Sequence, residues 1–176
     1  MPAAVGEIAT YCESHISPPP ATRLFKYPEK LIGAFRTEQP HVIGFSNYVW
    51  NAQLSYEFAK VIKAKFPWTT VVMGGPNFPL SKEHQESFLR ARPAIDFFIE
   101  KEGELPFCNL IRRLMELEFD IERVKKEKLG GVRAIAADGM FCAGSVMERI
   151  NDLSEIPSPY LSGKLDEFFD GKLMPI

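Results

Sequence analysis

The stretches His41-Val-Ile-Gly-Phe-Ser46 and Thr69-Thr-Val-Val-Met73, the second followed by Gly74-Gly75-Pro76, decide the fold class. Each is a short apolar run without polar alternation, which is typical of a buried strand in a parallel sheet. Leu54 to Phe66 lies between them and repeats apolar side chains at helical spacing up to Pro67. A strand, a helix and a strand in this order predict an α/β sheet with crossover helices.

The same alternation continues on both sides of these two strands. The predicted elements are a helix from Pro2 to His15, a short strand or extended connection over Thr22 to Tyr27, a helix over Pro28 to Glu38, a helix over Glu83 to Arg92, a strand over Ile95 to Ile99, and a helix from Pro106 to about Phe119. We therefore predict a Rossmann-like or flavodoxin-like parallel sheet with helices on both faces.

The pattern changes after Asp120. Glu122 to Lys128 is a charge run, which is typical of a solvated helix face or a mobile connection. Two apolar stretches around Asp138-Gly139 predict a small β-hairpin, because this dipeptide readily adopts the positive φ angles of tight turns. Asn151 to Gly163 is rich in proline and serine and reads as an extended surface linker. We predict an α/β domain over 1–119, a charged connection and hairpin over 120–149, and a linker over 150–176.

Composition excludes several classes of protein. The chain has 176 residues and a net charge of −2, so it offers no field that would gather nucleic acid or acidic membrane. No stretch approaches the about 20 apolar residues of a membrane span, and the N-terminus lacks the features of a signal peptide. Cys12, Cys108 and Cys142 are odd in number and far apart, which suits reduced thiols. We expect a cytoplasmic protein.

Ligands of open parallel sheets bind beyond the carboxyl ends of the strands, so the loops that follow the strands are candidate sites. The candidate cofactor-binding residues come from three such loops: Ser46, Asn47 and Tyr48; Gly74, Gly75 and Pro76; and Glu102, Gly103 and Glu104. No catalytic residue and no metal ligand is predicted among them.

Each of these features also has a simpler interpretation. Paired glycines let a flat ligand or another backbone approach closely, but they equally serve a tight bend after a strand. Tyr48 and Trp50 suit the two sides of a planar macrocycle, whereas aromatics beside a strand end also serve as core lids or interface residues. Glu102 and Glu104 suit cation binding or acid–base chemistry, but carboxylates at a helix start commonly interact with its dipole.

Taken in order, these segments resemble the cobalamin-binding domain that precedes the catalytic barrel in many radical S-adenosylmethionine (SAM) enzymes. The similar segments are Pro2 to Tyr11, the family's first helix; Val42 to Ser46, a strand ending in serine; Val71 to Pro76, a strand ending in paired glycines; Asp96 to Glu104, a strand and an acidic turn; and Ile150 to Pro159, a linker to the barrel. The resemblance covers nearly the whole chain.

The chain departs from the family pattern in three ways. Lys101 stands where the family usually has the first glycine of the acidic turn. The family normally begins with a strand before its first helix, and that absent strand would be central, with Thr22 to Tyr27 or a partner chain filling its place. The Cys-x3-Cys-x2-Cys triplet of the barrel is absent, and Leu173 to Ile176 resembles the first strand of that barrel. We therefore expect the 4Fe-4S cluster and SAM only in the barrel, and no catalysis by this chain alone.

The resemblance implies an accessory domain that positions a corrin for methyl transfer or radical chemistry in a whole radical SAM enzyme. Two alternatives stay open: a degenerate domain that docks the barrel or substrate without a cofactor, and a flavodoxin-like flavin or nucleotide binder. If a corrin binds, it is expected base-off and without a histidine ligand, because Gln39-Pro-His41-Val-Ile-Gly44 lacks the aspartate of the family's Asp-x-His-x-x-Gly motif. Gly75→Val is expected to abolish corrin binding at a smaller cost in stability than a core cavity.

Overall fold

The computed structural model describes residues 3–169 and residue 171. No helix in this part of the chain is long and apolar enough to cross a membrane. The chain divides into two compact units, one drawn from Met1–Glu38 and Ile150–Ile176 and the other from Gln39–Arg149. The boundary predicted after residue 149 coincides with a division between the two units, whereas the one predicted after residue 119 lies inside the second unit. The functional division into three regions stays a prediction. The strand predicted at Leu173 to Ile176 lies outside the described residues.

The first unit joins the N-terminal helices to the C-terminal segment. Its elements are α1 (Ala3–His15), α2 (Pro28–Ala34) and the 3-10 helices Leu153–Glu155 and Asp166–Phe168. Thr10 Oγ1 donates a hydrogen bond of 2.7 Å to the Pro157 carbonyl, and Leu165 is fully buried. The predicted surface linker therefore takes part in a packed unit. Thr22 to Tyr27 forms no strand and connects α1 to α2.

The second unit contains a five-stranded sheet in the order β1-β2-β3-β4-β5. Its strands are β1 (Val42–Ser46), β2 (Thr70–Gly74), β3 (Phe97–Ile99), β4 (Val132–Ile135) and β5 (Phe141–Ala143). Its helices are α3 (Ala52–Lys65), α4 (Lys82–Arg90), α5 (Glu104–Glu116) and α6 (Ile121–Lys126). The predicted βαβ alternation is confirmed, and the charge run after Asp120 is the short helix α6.

Two features of the sheet differ from the sequence-based prediction. The hairpin β4–β5 is not separate: β4 pairs antiparallel with β3 through Phe98 and Arg133, so the sheet is mixed. The first strand was predicted to be buried, but β1 lies at the end of the sheet and only Ile43 of its residues is buried. An apolar run predicts that a strand packs against a core, but it does not predict whether the strand has one or two neighbouring strands in the sheet.

Helices cover both faces of this sheet. Phe45 and Met73 are register partners on one face, where Met73 packs with Leu89 of α4 in the aromatic core. Gly44 belongs to the other face because neighbouring residues of a strand point to opposite sides. A Cβ at Gly44 would lie 3.6 Å from the ring of Phe107, which belongs to α5. The predicted helices on both faces are thereby confirmed.

Candidate functional site

The carboxyl ends of the three parallel strands meet at one edge of the sheet. Ser46 is the register partner of Gly74, and Gly74 is the partner of Ile99. Ser46, Gly74 and Gly75 therefore lie together, as expected for loops that follow neighbouring parallel strands. We call residues 47–51 the β1 loop, residues 75–81 the β2 loop, and Lys101 to Glu104 the acidic turn; all three begin at this edge.

Buried Asn47 ties the β1 loop to the β2 loop. Its backbone N–H donates to the Gly74 carbonyl at 2.6 Å, and its side-chain amide donates to the Asn77 carbonyl at 2.6 Å. Its own carbonyl accepts from the Asn77 N–H at 3.2 Å. Three hydrogen bonds from one residue therefore fix the two loops in register, and the side chain of Asn47 is occupied in doing so.

Gly75 permits this arrangement. Its φ is +130°, in the region that L side chains rarely adopt, and a Cβ there would lie 2.8 Å from the Asn47 carbonyl oxygen. Gly75 thus allows the close approach of another backbone, that of Asn47, and not that of a flat ligand. The structure gives no support to the expectation that Gly75→Val costs less stability than a core cavity, because that side chain has no room beside the Asn47 backbone. Gly74 differs, since its Cβ would meet Ile99 at an ordinary 3.4 Å.

The β1 loop is closed by side-chain hydrogen bonds. Asn51 Nδ2 donates to Ser46 Oγ at 2.8 Å, and Asn51 Oδ1 accepts from the Tyr48 N–H at 2.8 Å. Ser55 of α3 donates to the Ser46 carbonyl at 3.2 Å. Asn51 is also the residue before α3, so the closed loop is joined directly to the start of that helix.

This closed loop carries an aromatic pair in which Tyr48 is half-buried and Trp50 is exposed. The two rings stack on each other with centroids 4.6 Å apart and an interplanar angle of 11°, so they do not lie on the two sides of a planar macrocycle. Trp50 is 80% exposed, which excludes the core-lid interpretation for it. Val49 and Leu80 are also largely exposed, so the β1 and β2 loops both carry apolar side chains that the rest of the chain leaves uncovered. An exposed aromatic ring on a fixed loop makes this edge a candidate binding surface.

The two glutamates of the acidic turn have different surroundings. Glu104 begins α5, where the positive end of the helix dipole favours a carboxylate. Glu102 lies two residues earlier and pairs with Arg149 at 2.8 Å on the surface. Gly103 is the N-cap of α5 and makes no side-chain cap. The helix-dipole interpretation therefore holds for Glu104 and does not extend to Glu102.

Lys101 adopts a left-handed conformation with φ of +64°. Its conformation is therefore one that glycine adopts at no cost, and glycine is the residue that the resemblance expects here. We predict that Lys101→Gly raises the free energy of unfolding by about 1 kcal/mol. Urea denaturation measures the change, and Lys101→Ala, which keeps the Cβ, serves as the control. Equal stability of the two variants would contradict a strained turn.

A cleft of about 250 Å³ opens beside the same edge. Its lining comes from the β1 and β2 loops, strand β2, helices α3 and α4, and the residues that follow α4. The members that define its character are Asn47, Asn77, Tyr56, Met73, Phe88 and Arg92. Arg92 lies over the ring of Phe88 at 4.0 Å, so the cleft combines an aromatic wall with a cationic group.

The histidines and cysteines lie in ordinary surroundings. His41, just before β1 and so at the opposite end of that strand, stacks on Phe119 with centroids 4.6 Å apart. His84 Nδ1 lies 2.7 Å from Ser81 Oγ in the first turn of α4. All three cysteines are buried, and burial raises the pKa of the Cys142 thiol. Within residues 3–169 and 171, no three His, Cys, Asp or Glu side chains come together as a metal site.

Sequence reasoning missed one group of residues next to this edge. Glu100 directly follows β3, is half-buried, and forms an ion pair with buried Arg133 of β4, to which Gln85 of α4 also bonds. The only signal was an arginine inside the otherwise apolar strand Val-Arg-Ala-Ile, since a charged side chain in such a run is buried only when it is paired.

Comparisons with known proteins show which proteins this chain is similar to. The family model of the B12 binding domain matches residues 4–111. A cobalamin-dependent radical SAM methyltransferase, TokK from Streptomyces tokunonensis, is 30% identical over 129 residues, which are 73% of this chain and 18% of that protein. A 2-(S-pantetheinyl)-carbapenam-3-carboxylate methyltransferase from Streptantibioticus cattleyicolor is 31% identical over 128 residues, 72% of this chain and 17% of that protein.

A solved structure shares the fold. It is that of OxsB, a cobalamin-dependent S-adenosylmethionine radical enzyme with aqua-cobalamin and S-adenosylmethionine bound. The TM-score is 0.68 at 18% identity, and the match covers 96% of this chain and 23% of that one. The chain thus corresponds to less than a quarter of the length of each of these proteins.

Proposed function

Because this chain belongs to the B12-binding domain family, we propose that it binds a cobalamin at the edge formed by the carboxyl ends of β1, β2 and β3. The observation that carries the proposal is the stacked pair of half-buried Tyr48 and exposed Trp50, which lies on a loop that Asn47 and Asn51 fix. A rigid aromatic surface offers a large contact area at little entropic cost, which suits the flat face of a macrocycle.

The residues present fit a corrin, which is an apolar ring with amide groups on its periphery. Trp50, Val49 and Leu80 supply exposed apolar area, while the polar groups of the acidic turn lie on the other side of Gly74. Among the nine candidate residues, we assign contact with the cofactor to Tyr48, Pro76, Glu102, Gly103 and Glu104. We assign support of the loops to Ser46, Asn47, Gly74 and Gly75.

We propose that no histidine of this chain ligates the cobalt and that the cobalamin is bound base-off. His41 lies before β1, at the far end of the strand from Ser46, and stacks on Phe119. His84 stands at hydrogen-bond distance from the side chain of Ser81, in the first turn of α4. Neither therefore extends freely toward the surface that carries Trp50.

In the whole protein, we propose that the domain positions a corrin beside a radical SAM barrel, which would hold the 4Fe-4S cluster and SAM. TokK, which is named a cobalamin-dependent radical SAM methyltransferase, makes methyl transfer the reaction to test first. A bound cobalamin supplies a metal centre that carries a methyl group, while this chain's residues bind it and set its environment. Reduced, buried cysteines support a cytoplasmic protein.

Incubation with hydroxocobalamin, FMN or ATP, followed by desalting and absorption spectra, tests the proposal. We expect cobalamin alone to co-elute with the protein. Trp50→Ala is expected to weaken its affinity by about tenfold or more, because the variant removes the exposed half of the aromatic surface. Trp68→Ala is the matched control, since Trp68 is exposed but lies before β2, at the opposite end of the sheet.

The possible outcomes separate the alternatives. Retention of FMN or ATP would favour the flavodoxin-like alternative. Retention of none of the three would favour a degenerate domain. Equal losses in Trp50→Ala and Trp68→Ala would reject the aromatic surface as the binding face. A spectrum of bound cobalamin that changes in His84→Ala would contradict the absence of a histidine ligand.

A further inference from the structure

We infer that Arg133 is a positioning residue of the ligand edge: it holds the β2 loop and the residues that lead into the acidic turn in one fixed arrangement. The inference rests on the proposed function in so far as this edge binds a cobalamin. Nothing in the sequence pattern assigns a role to Arg133, which lies on β4 and is 2% exposed.

Every nitrogen of the Arg133 guanidinium has a defined partner. Nη2 forms the ion pair with Glu100, and Nε donates to Gln85 Oε1 at 3.1 Å. Nη1 donates to the carbonyls of Val132 at 3.0 Å and of Gly144 at 2.9 Å. A planar guanidinium with all three nitrogens bonded fixes both the distance and the orientation of its partners.

Gln85 carries this arrangement to the β2 loop. It is fully buried, and its Nε2 donates to the Pro79 carbonyl at 2.9 Å and to Glu100 Oε1 at 3.1 Å. The three side chains of Arg133, Glu100 and Gln85 therefore form a closed triangle of hydrogen bonds. Through Pro79 the triangle reaches the residue before exposed Leu80, and through Glu100 it reaches the residue before Lys101.

The placement of the triangle indicates what this polar group does in the core. A buried ion pair is weak evidence for stability, because apolar side chains of similar volume often serve equally well. A satisfied polar network differs in that its bonds have direction, so it specifies one arrangement of the groups it joins. Here the network joins the β2 loop, through Pro79, to the residue that leads into the acidic turn, Glu100. Stability and loop arrangement should therefore respond differently when the triangle is replaced.

The experiment removes the charges as a pair, in Arg133→Met/Glu100→Gln, so that neither is left buried alone. The matched control is Arg113→Met/Glu127→Gln, which removes an arginine–glutamate pair of 2.6 Å that joins α5 to the residue after α6. Backbone amide exchange is measured across the chain, global stability by urea denaturation, and hydroxocobalamin affinity by titration.

We expect amide exchange at Asn77 and Glu100, whose N–H groups donate to the carbonyls of Asn47 and Gly131, to rise by about tenfold in the Arg133 pair variant, and cobalamin affinity to fall by a similar factor. Global stability should fall as well, because the Gly144 carbonyl and Gln85 Oε1 lose their donor, but exchange in strands β2 and β3 should rise less than at these two amides. Exchange and affinity like those of the wild type would overturn the inference. A uniform rise in exchange throughout the sheet would also overturn it, because that result indicates a role in stability alone.

Two further arms keep the result decisive. If the pair variant does not fold, Gln85→Met tests the same two segments, since it strands no charge and removes the bonds to Pro79 and Arg133; the same exchange pattern is expected. If the wild type binds no cobalamin, the proposed function fails, while local exchange at Asn77 and Glu100 still decides whether Arg133 positions the two segments.

Discussion

Replacement of Gly75 by alanine is expected to lower the free energy of unfolding by about 2–5 kcal/mol and to remove cobalamin binding. Two costs add in this variant. The φ of +130° disfavours any L side chain, and the new Cβ would lie 2.8 Å from the Asn47 carbonyl oxygen and 3.1 Å from its nitrogen. The neighbour is a backbone held by three hydrogen bonds, so the loops have to separate to make room.

Gly139→Ala separates these two costs. Gly139 also has a positive φ, +82°, but nothing lies within 4 Å of the position its Cβ would take. This control carries the conformational strain without the clash, and about 1–2 kcal/mol is expected from it. Urea denaturation compares the variants, and cobalamin retention is measured where each is folded. If Gly75→Ala is no more destabilising than Gly139→Ala, the contact with Asn47 does not constrain the loops.

The elements of the fold were predictable because burial leaves a local record. The apolar runs before Ser46 and Gly74 and the helical spacing between them depend only on neighbouring residues. Position in the sheet leaves no such record: β1 lies at the end of the sheet although its sequence reads as buried. The pairing of the hairpin with β3 was missed for the same reason, since the Phe98–Arg133 register joins residues that α5 and α6 separate.

The site was predictable in place and only partly in detail. The carboxyl ends of parallel strands lie at one edge of a sheet, and this rule predicts that Ser46, Gly74 and the acidic turn lie close together. The roles of Asn47 and Gly75 were not predictable, because they depend on a contact between Asn47 and Asn77 across 30 residues. The role of Arg133 was not predictable either, because its partner Glu100 lies 33 residues away in sequence, directly after β3.

The opposite end of the sheet is stabilised by a separate buried ionic group. Asp96 directly precedes β3, and its side chain is 8% exposed. Its Oδ2 accepts from the Val71 N–H at 2.8 Å and from Lys63 Nζ at 2.8 Å, and its Oδ1 lies 3.8 Å from Lys125 Nζ. One carboxylate thereby joins β2, the end of α3 and α6, away from the edge that carries the loops.

Asp96→Ala is accordingly expected to lower the free energy of unfolding by about 2–4 kcal/mol, because it leaves the buried Val71 N–H without its acceptor and removes the carboxylate that Lys63 contacts. Lys125 keeps its ion pair with Glu122 at 2.7 Å, so no charge is left unpaired there. The midpoint of thermal unfolding should fall by roughly 10 °C or more. Glu86→Ala is the control: it breaks an exposed helical pair with Arg90, for which less than about 0.5 kcal/mol is expected.

If the two ends of the sheet act independently, Asp96→Ala lowers the stability of the domain and leaves its cobalamin affinity unchanged. Where the variant is still folded, its affinity for hydroxocobalamin should equal that of the wild type, since Asp96 touches none of the β1 loop, the β2 loop or the acidic turn. Gly75→Ala at matched stability should not bind. A loss of affinity in Asp96→Ala beyond its unfolded fraction would mean that the strands transmit changes from one end to the other, and the loops would then not be fixed by Asn47 and Arg133 alone.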